Sequence, residues 1–301
     1  NAWMNTPRGF RMVDGNPVDI DPVAAMLNPS AFPQALHMLI AAYAATAFAV
    51  AGIHAFLLRK DKNNLFHQRA LLVAIGLAAA TALLEPLSGH LLAKVVAENQ
   101  PVKLAAMEGQ FKTERGAPLR IGGIPNLETH TTPFALEIPG GLSLLAHDNL
   151  TAEVKGLDSF PRKDWPPVAL VHIAFQIMVA CGVLIALVSL WTLWLFWRRL
   201  PLHESPLYLK LLTVAAPLGF IAVESGWMVT ELGRQPWVIY GILRTADAVT
   251  PVPYLVIPFI TFTLLYLFLG VIVVWLLLRQ VIESPQLFVP QKSRGVQEGE
   301  S

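Results

Sequence analysis

Val168-Ala169-Leu170-Val171-His172-Ile173-Ala174-Phe175-Gln176-Ile177-Met178-Val179-Ala180-Cys181-Gly182 opens a stretch that runs to Trp197 without one Asp, Glu, Lys or Arg, and Arg198-Arg199 closes it. A bilayer span needs roughly 20 apolar residues, so residues 168–197 read as a membrane-crossing helix. Working outward, four more stretches read the same way. Residues 32–58 are stopped by Arg59-Lys60-Asp61-Lys62, residues 70–87 follow, and beyond the central stretch come residues 207–232 and 252–278, the last closed by Arg279. Ser205-Pro206 and Thr250-Pro251 each set a capping residue before a proline at the first helical position. Pro217 predicts a kink in the fourth span, which a packed bundle tolerates. The fold class expected is an all-α polytopic transmembrane helix bundle of about five spans with a long external loop.

Composition agrees. Of 301 residues, 54% are hydrophobic and 14% charged, against about 25% charged in an average soluble domain. That excludes a disordered chain. With 22 Lys+Arg against 21 Asp+Glu and a net charge of +1, no basic excess exists for a nucleic-acid partner. The single cysteine, Cys181, excludes a disulfide framework and a zinc site built on paired cysteines. The opening Asn1-Ala2-Trp3-Met4-Asn5 has no initiator Met and no basic n-region before an apolar core. The chain therefore reads as starting inside a larger protein.

Short-loop charge sets the expected orientation. Arg59, Lys60, Lys62, Arg69, Arg198, Arg199, Lys210, Arg279, Lys292 and Arg294 fall on one side, the cytoplasmic one. The expected division is an external loop over 1–31, two transmembrane helices over 32–90, an external segment over 91–166, three helices over 167–281 and a cytoplasmic tail over 282–301.

Ionisable groups inside spans are costly and usually functional. His37 lies near the outer end of the first span, followed by Ala41, Ala42, Ala44, Ala45 and Ala47. Small residues beside an imidazole suit a flat porphyrin; they suit tight helix packing equally. Met178 lies at the outer part of its span, as a second axial ligand would or as core filler. His172 and Gln176, at i and i+4, are placed to bond a haem propionate or each other. Glu224, Trp227 and Glu231 share one helical face, which fits a haem iron, a proton relay or a structural hydrogen-bond network. Arg234 can pair with Glu231 or with a propionate. No P-loop, dinucleotide glycine pattern, HExxH or nucleophile elbow is present.

The external segment is too long for an idle connection. Residues 98–108 read as a proline-started helix. Lys103 and Glu108 are five positions apart, roughly 140° around a helix, and are expected either to flank one pocket at the membrane surface or to belong to an ordinary amphipathic surface helix. Residues 134–139 read as a short strand or a membrane-dipping turn, and Gly122-Gly123 and Gly140-Gly141 as turns.

These motifs in this order resemble subunit I of the cytochrome bd ubiquinol oxidases. Gln100-Pro101-Val102-Lys103-Leu104-Ala105-Ala106-Met107-Glu108 resembles the start of the family's quinol-binding loop. Phe175-Gln176-Ile177-Met178-Val179-Ala180-Cys181-Gly182 resembles its methionine helix. Gly226-Trp227 and Glu231-Leu232-Gly233-Arg234-Gln235-Pro236-Trp237 resemble its Gly-Arg-Gln-Pro-Trp signature, and Trp3-Met4-Asn5-Thr6-Pro7 its loop before the histidine helix.

The resemblance implies His37 and Met178 as axial ligands of low-spin haem b558, and Glu231 as ligand of high-spin haem b595 with Trp227 packed beside the haems. It implies Lys103 and Glu108 at quinol and Arg234 as electrostatic support. It implies a bacterial cytoplasmic (inner) membrane, electrons passing from external quinol through the b haems to haem d, O2 reduced to water, and subunit II as partner. Family members have nine spans, so the resemblance makes this the C-terminal portion, with the histidine for haem d before Asn1. The compact external segment is like that of short quinol-loop members, including the cyanide-insensitive type. Gln176 stands where long-loop members tend to have Arg. The rival readings are a haem b quinol dehydrogenase with another acceptor, a proton-coupled transporter using Glu224 and Glu231, and a non-functional fragment.

Overall fold

The computed structural model describes residues 1–282, with the side chains of 281 and 282 left aside. The N-terminal stretch, expected as a loop, is locally ordered. It forms α1 (Ala2–Asn5), a hairpin of β1 (Arg11–Val13) and β2 (Asn16–Val18), and α2 (Pro22–Met26). The Asp21 side chain caps α2 by accepting from the N–H groups of Val23 and Ala24.

The first span is α3 (Ala31–Leu58) and the second is α4 (Leu65–Asn99). The second runs well past its expected end at 87. Apolar periodicity fades there and Pro86 looks like a stop, but packing carries the helix through it. Immediately after comes α5 (Pro101–Glu108), the proline-started helix expected from the sequence, with Pro101 at its first position. Gly109 ends it with φ 60, a backbone state costly for any residue with a Cβ; an added Cβ would also lie 2.7 Å from Thr132 Oγ1.

The external segment folds as small antiparallel pairs. β3 (Glu114–Arg115) awaits its partner further on, while β4 (Leu119–Gly122) pairs with β5 (Ala135–Ile138), so the stretch around 134–139 is a strand rather than a dipping turn. Then come α6 (Gly141–His147) and β6 (Glu153–Val154), the partner of β3.

The decisive apolar stretch is α7 (Val168–Trp197). The fourth span is broken at Pro217 into α8 (Pro206–Ala215), capped by Ser205, and α9 (Leu218–Leu232). A two-stranded turn follows, β7 (Trp237–Ile239) with β8 (Leu243–Arg244). The last span, α10 (Val256–Ile282), starts later than Thr250-Pro251 suggested, because the Thr250 hydroxyl accepts from the Val252 N–H in a turn and Tyr254 takes φ 63. The tail from 283 on, with Lys292 and Arg294, lies outside the described residues.

Two packed centres hold the chain. At the Arg59 end, Phe48, Leu58, Leu71, Ile75, Leu209 and Leu212 interlock α3, α4 and α8, and the buried Tyr208 hydroxyl bonds the Thr192 hydroxyl of α7 at 2.7 Å. At the loop end, Leu104, Leu142, Leu157 and Val171 join α5, α6 and α7. Lipid tails are as apolar as leucine, so in the spans close packing of small residues does the joining. A Cβ on Gly52 would stand 2.4 Å from Ala216 Cβ, and one on Gly219 would stand 2.4 Å from Ala45 Cα. Helix α3 therefore touches the broken span backbone to backbone on both sides of its break. Among the described residues, five helices are long and apolar enough to cross a membrane, and the apolar surface they expose belongs against lipid. The chain is a multi-pass membrane protein.

Candidate functional site

His37 points from α3 to α4. Its Nδ1 lies 3.0 Å from Ser88 Oγ and 3.3 Å from Glu85 Oε1. The Ser88 hydroxyl has one proton and gives it to Glu85, whose carbonyl is 2.9 Å away and whose Oε2 is 3.2 Å away. Oγ therefore accepts from the Nδ1–H of His37, which leaves the Nε2 lone pair as the ring's donor. This is how proteins orient a metal-binding imidazole. Gly89 faces the ring, where an added Cβ would stand in ordinary contact with Cε1 at 3.6 Å. Met178, on α7, meets another glycine: a Cβ at Gly226 of α9 would sit 3.0 Å from the sulfur. Imidazole and thioether are a donor set that fits a haem iron. Among the described residues no three His, Cys, Asp or Glu converge as a bare metal ion would require.

On α9, Glu224 and Trp227 lie on an exposed face with half-buried Glu231 at its end; Trp227 is 61% exposed. At that end, Arg234 donates to Glu231 Oε2 at 2.6 Å and to Asn1 Oδ1 at 2.8 Å, and Asn1 Nδ2 donates to Glu231 Oε1 at 2.8 Å. Each carboxylate oxygen keeps a second lone pair, so Glu231 still fits a ligand role while paired to Arg234.

Helix α5 presents two buried ionisable groups to different neighbours. Lys103 packs on the end of α9, with Nζ donating to the Thr230 carbonyl at 3.3 Å. A Cβ on Gly233 would come within 2.9 Å of the lysine stem. Burial pushes the Lys103 ammonium down to about 7; Arg234 lowers it further and Glu231 opposes. Glu108 turns instead toward β4. It is fully buried, and neither carboxylate oxygen is met by a donor in good hydrogen-bond geometry, the Arg120 backbone N–H being close by. Burial pushes it up to about 8, opposed by the Arg120 charge. Leaving a buried polar group unpaired costs about 1–3 kcal/mol, so this carboxyl stands out as a candidate functional group. The 140° separation seen in the sequence is thus realised as two facings of one helix.

His172 and Gln176 bond neither each other nor a side chain. Both reach the backbone of the external segment, through Met107, Arg120 and Gly122. The Arg120 side chain donates to Glu137 Oε1 at 2.9 Å and to Gln110 Oε1. Sequence reasoning missed Glu85, Ser88, Arg120 and Asn1 as members of this neighbourhood. A carboxylate in the middle of an apolar stretch was the one signal for Glu85; the other three gave none.

Comparison with known proteins supports the resemblance. The family model "Cytochrome bd terminal oxidase subunit I" matches residues 1–285. The chain is 39% identical over 291 residues to a putative cytochrome bd menaquinol oxidase subunit I of Bacillus subtilis, covering 95% of this chain and 65% of that protein. It is 33% identical over 295 residues to cytochrome bd ubiquinol oxidase subunit 1 of the same organism, covering 93% of this chain and 63% of that one. The solved bd oxidase of Geobacillus thermodenitrificans superposes with a TM-score of 0.85 at 36% identity, over 95% of this chain and 66% of that one. The chain thus spans a little under two thirds of the length of the relatives it matches. Its helix order and these matches agree: the chain belongs to the cytochrome bd terminal oxidase subunit I family.

Proposed function

We propose that this chain works as the haem-bearing, quinol-oxidising part of a bd-type oxidase in a bacterial cytoplasmic membrane, with a second oxidase subunit as partner and O2 as terminal acceptor. The observation that carries the reading is Glu108, a fully buried carboxyl with no donor in good geometry at either oxygen, at the end of a helix that also buries Lys103. Quinol oxidation releases protons together with electrons, and an acceptor tuned near neutrality serves that transfer best. The ionised form of Glu108 takes the hydroxyl proton. Lys103, held against α9, supplies a donor and a positive charge when protonated. The external placement of this site follows from the loop charges, so quinol protons leave on the outside.

His37 and Met178 would hold the low-spin haem b and Glu231 the high-spin haem b; bound haem supplies one-electron acceptance. In this reading Arg234 holds the Glu231 carboxyl group in place through its hydrogen bond, Trp227 covers apolar cofactor surface, and Glu224 lies on the same face.

The test is the full-length complex, purified in detergent. It is expected to show b and d haem bands and quinol-dependent O2 uptake. A colourless preparation, or haems that quinol cannot reduce, would reject the reading. A finer test addresses the Glu85–Ser88–His37 chain. Ser88→Ala removes the acceptor for Nδ1–H, and Glu85→Gln the charge behind it. Each is expected to weaken low-spin haem retention by about 10–100-fold, read by haem content after dilution. Retention at the wild-type level would show that these two residues do not orient the ligand.

A further inference from the structure

On α7, His172 is fully buried, with Nδ1 2.8 Å from the Met107 carbonyl and Nε2 3.1 Å from the Gly122 carbonyl. A ring with N–H at both nitrogens donates to both carbonyls, and either neutral tautomer keeps one bond. One turn on, Gln176 uses both ends of its amide. Its Oε1 accepts from the Gly122 N–H at 2.9 Å, and its Nε2 donates to the Arg120 carbonyl at 3.0 Å. Met107 immediately precedes Glu108, and Arg120 is the cation set against that carboxyl. Two side chains on one face of α7 therefore grip both backbone segments beside Glu108, the end of α5 and the strand β4.

Glycines make the grip possible. Gly122 has φ 71, and a Cβ on Gly109 would lie 3.4 Å from His172 Nδ1. Helix termini leave carbonyls without intrahelical partners, and His172 satisfies one of them at the end of α5. Met178 follows two residues after Gln176 on the same helix.

We propose that His172 and Gln176 are positioning residues that anchor the external segment to the Met178 helix and so hold Glu108 at the quinol. The inference rests on the reading of Glu108 as proton acceptor. It assigns the two side chains to the loop rather than to a haem propionate. Lys103, held separately by α9, keeps its place without them. Loss of the grip should therefore act on proton transfer more than on quinol binding.

The experiment uses the intact complex carrying His172→Leu, Gln176→Leu or the conservative His172→Asn, which restores a donor near Nδ1. Should a leucine variant fail to assemble, Gln176→Glu keeps the acceptor for Gly122 and drops the donor for Arg120. Misplacing a reacting group by about 1 Å costs on the order of 100-fold, so kcat with quinol is expected to fall about 10–100-fold with KM changed less. His172→Asn should recover part of that loss. The low-spin haem spectrum and the oxidation of a substituted phenylenediamine, which donates electrons directly, should match wild type. Amide exchange over residues 107–122 should accelerate in the leucine variants.

Exchange at the wild-type rate would overturn the anchoring. An altered haem spectrum would overturn it in favour of a propionate role, and a rise in KM alone would overturn the link to Glu108. Glu108→Gln separates the underlying reading from the anchoring. If that variant oxidises quinol normally while Gln176→Leu still exchanges fast, the proton-acceptor assignment fails and the anchor stands.

Discussion

Replacing Met178 with leucine is expected to abolish the optical signature of the low-spin haem b and to leave a five-coordinate, high-spin centre in its place. The thioether is the only donor atom that α7 offers beside Gly226, whose missing side chain opens the space around the sulfur. Leucine fills nearly the same volume, and such swaps usually cost less than about 1.5 kcal/mol, so the helix and its packing should survive. What is lost is one axial bond. The measurement is the reduced-minus-oxidised spectrum of the purified complex, with haem content as control. A variant with the wild-type spectrum removes Met178 from the ligand set and leaves it as packing.

Glu108→Gln should lower quinol oxidation by about 10²–10⁴-fold, the range that a positioned acid or base commonly contributes, while a phenylenediamine donor still reduces the haems. Equal loss with both donors would place the defect beyond the quinol site. The same variant carries a stability signature. Folded Glu108 keeps its proton to about pH 8, against an ordinary value of 4.5. Between those values the unfolded chain gives up a proton that the folded chain retains, so this group makes stability fall as pH rises from about 4.5 to 8. Glutamine cannot ionise, so the variant should gain on the wild type across that window. The gap in melting temperature should widen with pH by at least about 2–4 °C. A gap that stays constant from pH 5 to 8 would show that Glu108 is not the buried, proton-holding group described above. Loss of activity with gain of stability is the expected pattern for a strained functional group.

The spans were legible because the bilayer demands long charge-free runs, and nothing else in a sequence looks like residues 168–197. The proline break at 217 and the Pro101 start were legible for a similar reason, since proline acts through local backbone chemistry. The helix past residue 87 was not, because tertiary packing rather than periodicity extends it to Asn99. The small hairpins were hidden by their shortness. At the site, Lys103 and Glu108 could be singled out, but not that they face α9 and β4 respectively. Ser88 bonds His37 across 51 positions, and Asn1 reaches Glu231 across 230. Pairings of that range depend on how helices lie together, which a single sequence does not spell out. His172 and Gln176 were expected to bond a haem propionate or each other, yet what they hold is a backbone, and backbone groups carry no sequence signal.

Gly52 and Gly219 have a meaning beyond assembly. Where neighbouring helices meet main chain to main chain, as α3 does with the broken span, no flexible side chains stand between them to deform. Such a frame breathes little, and groups fastened to it keep nearly constant separations through thermal motion. Single-electron tunnelling weakens steeply with each added fraction of an ångström. If electrons take the path proposed above, a stiff frame would narrow the spread of tunnelling rates, with the glycine hydrogens at these two positions as its spacers.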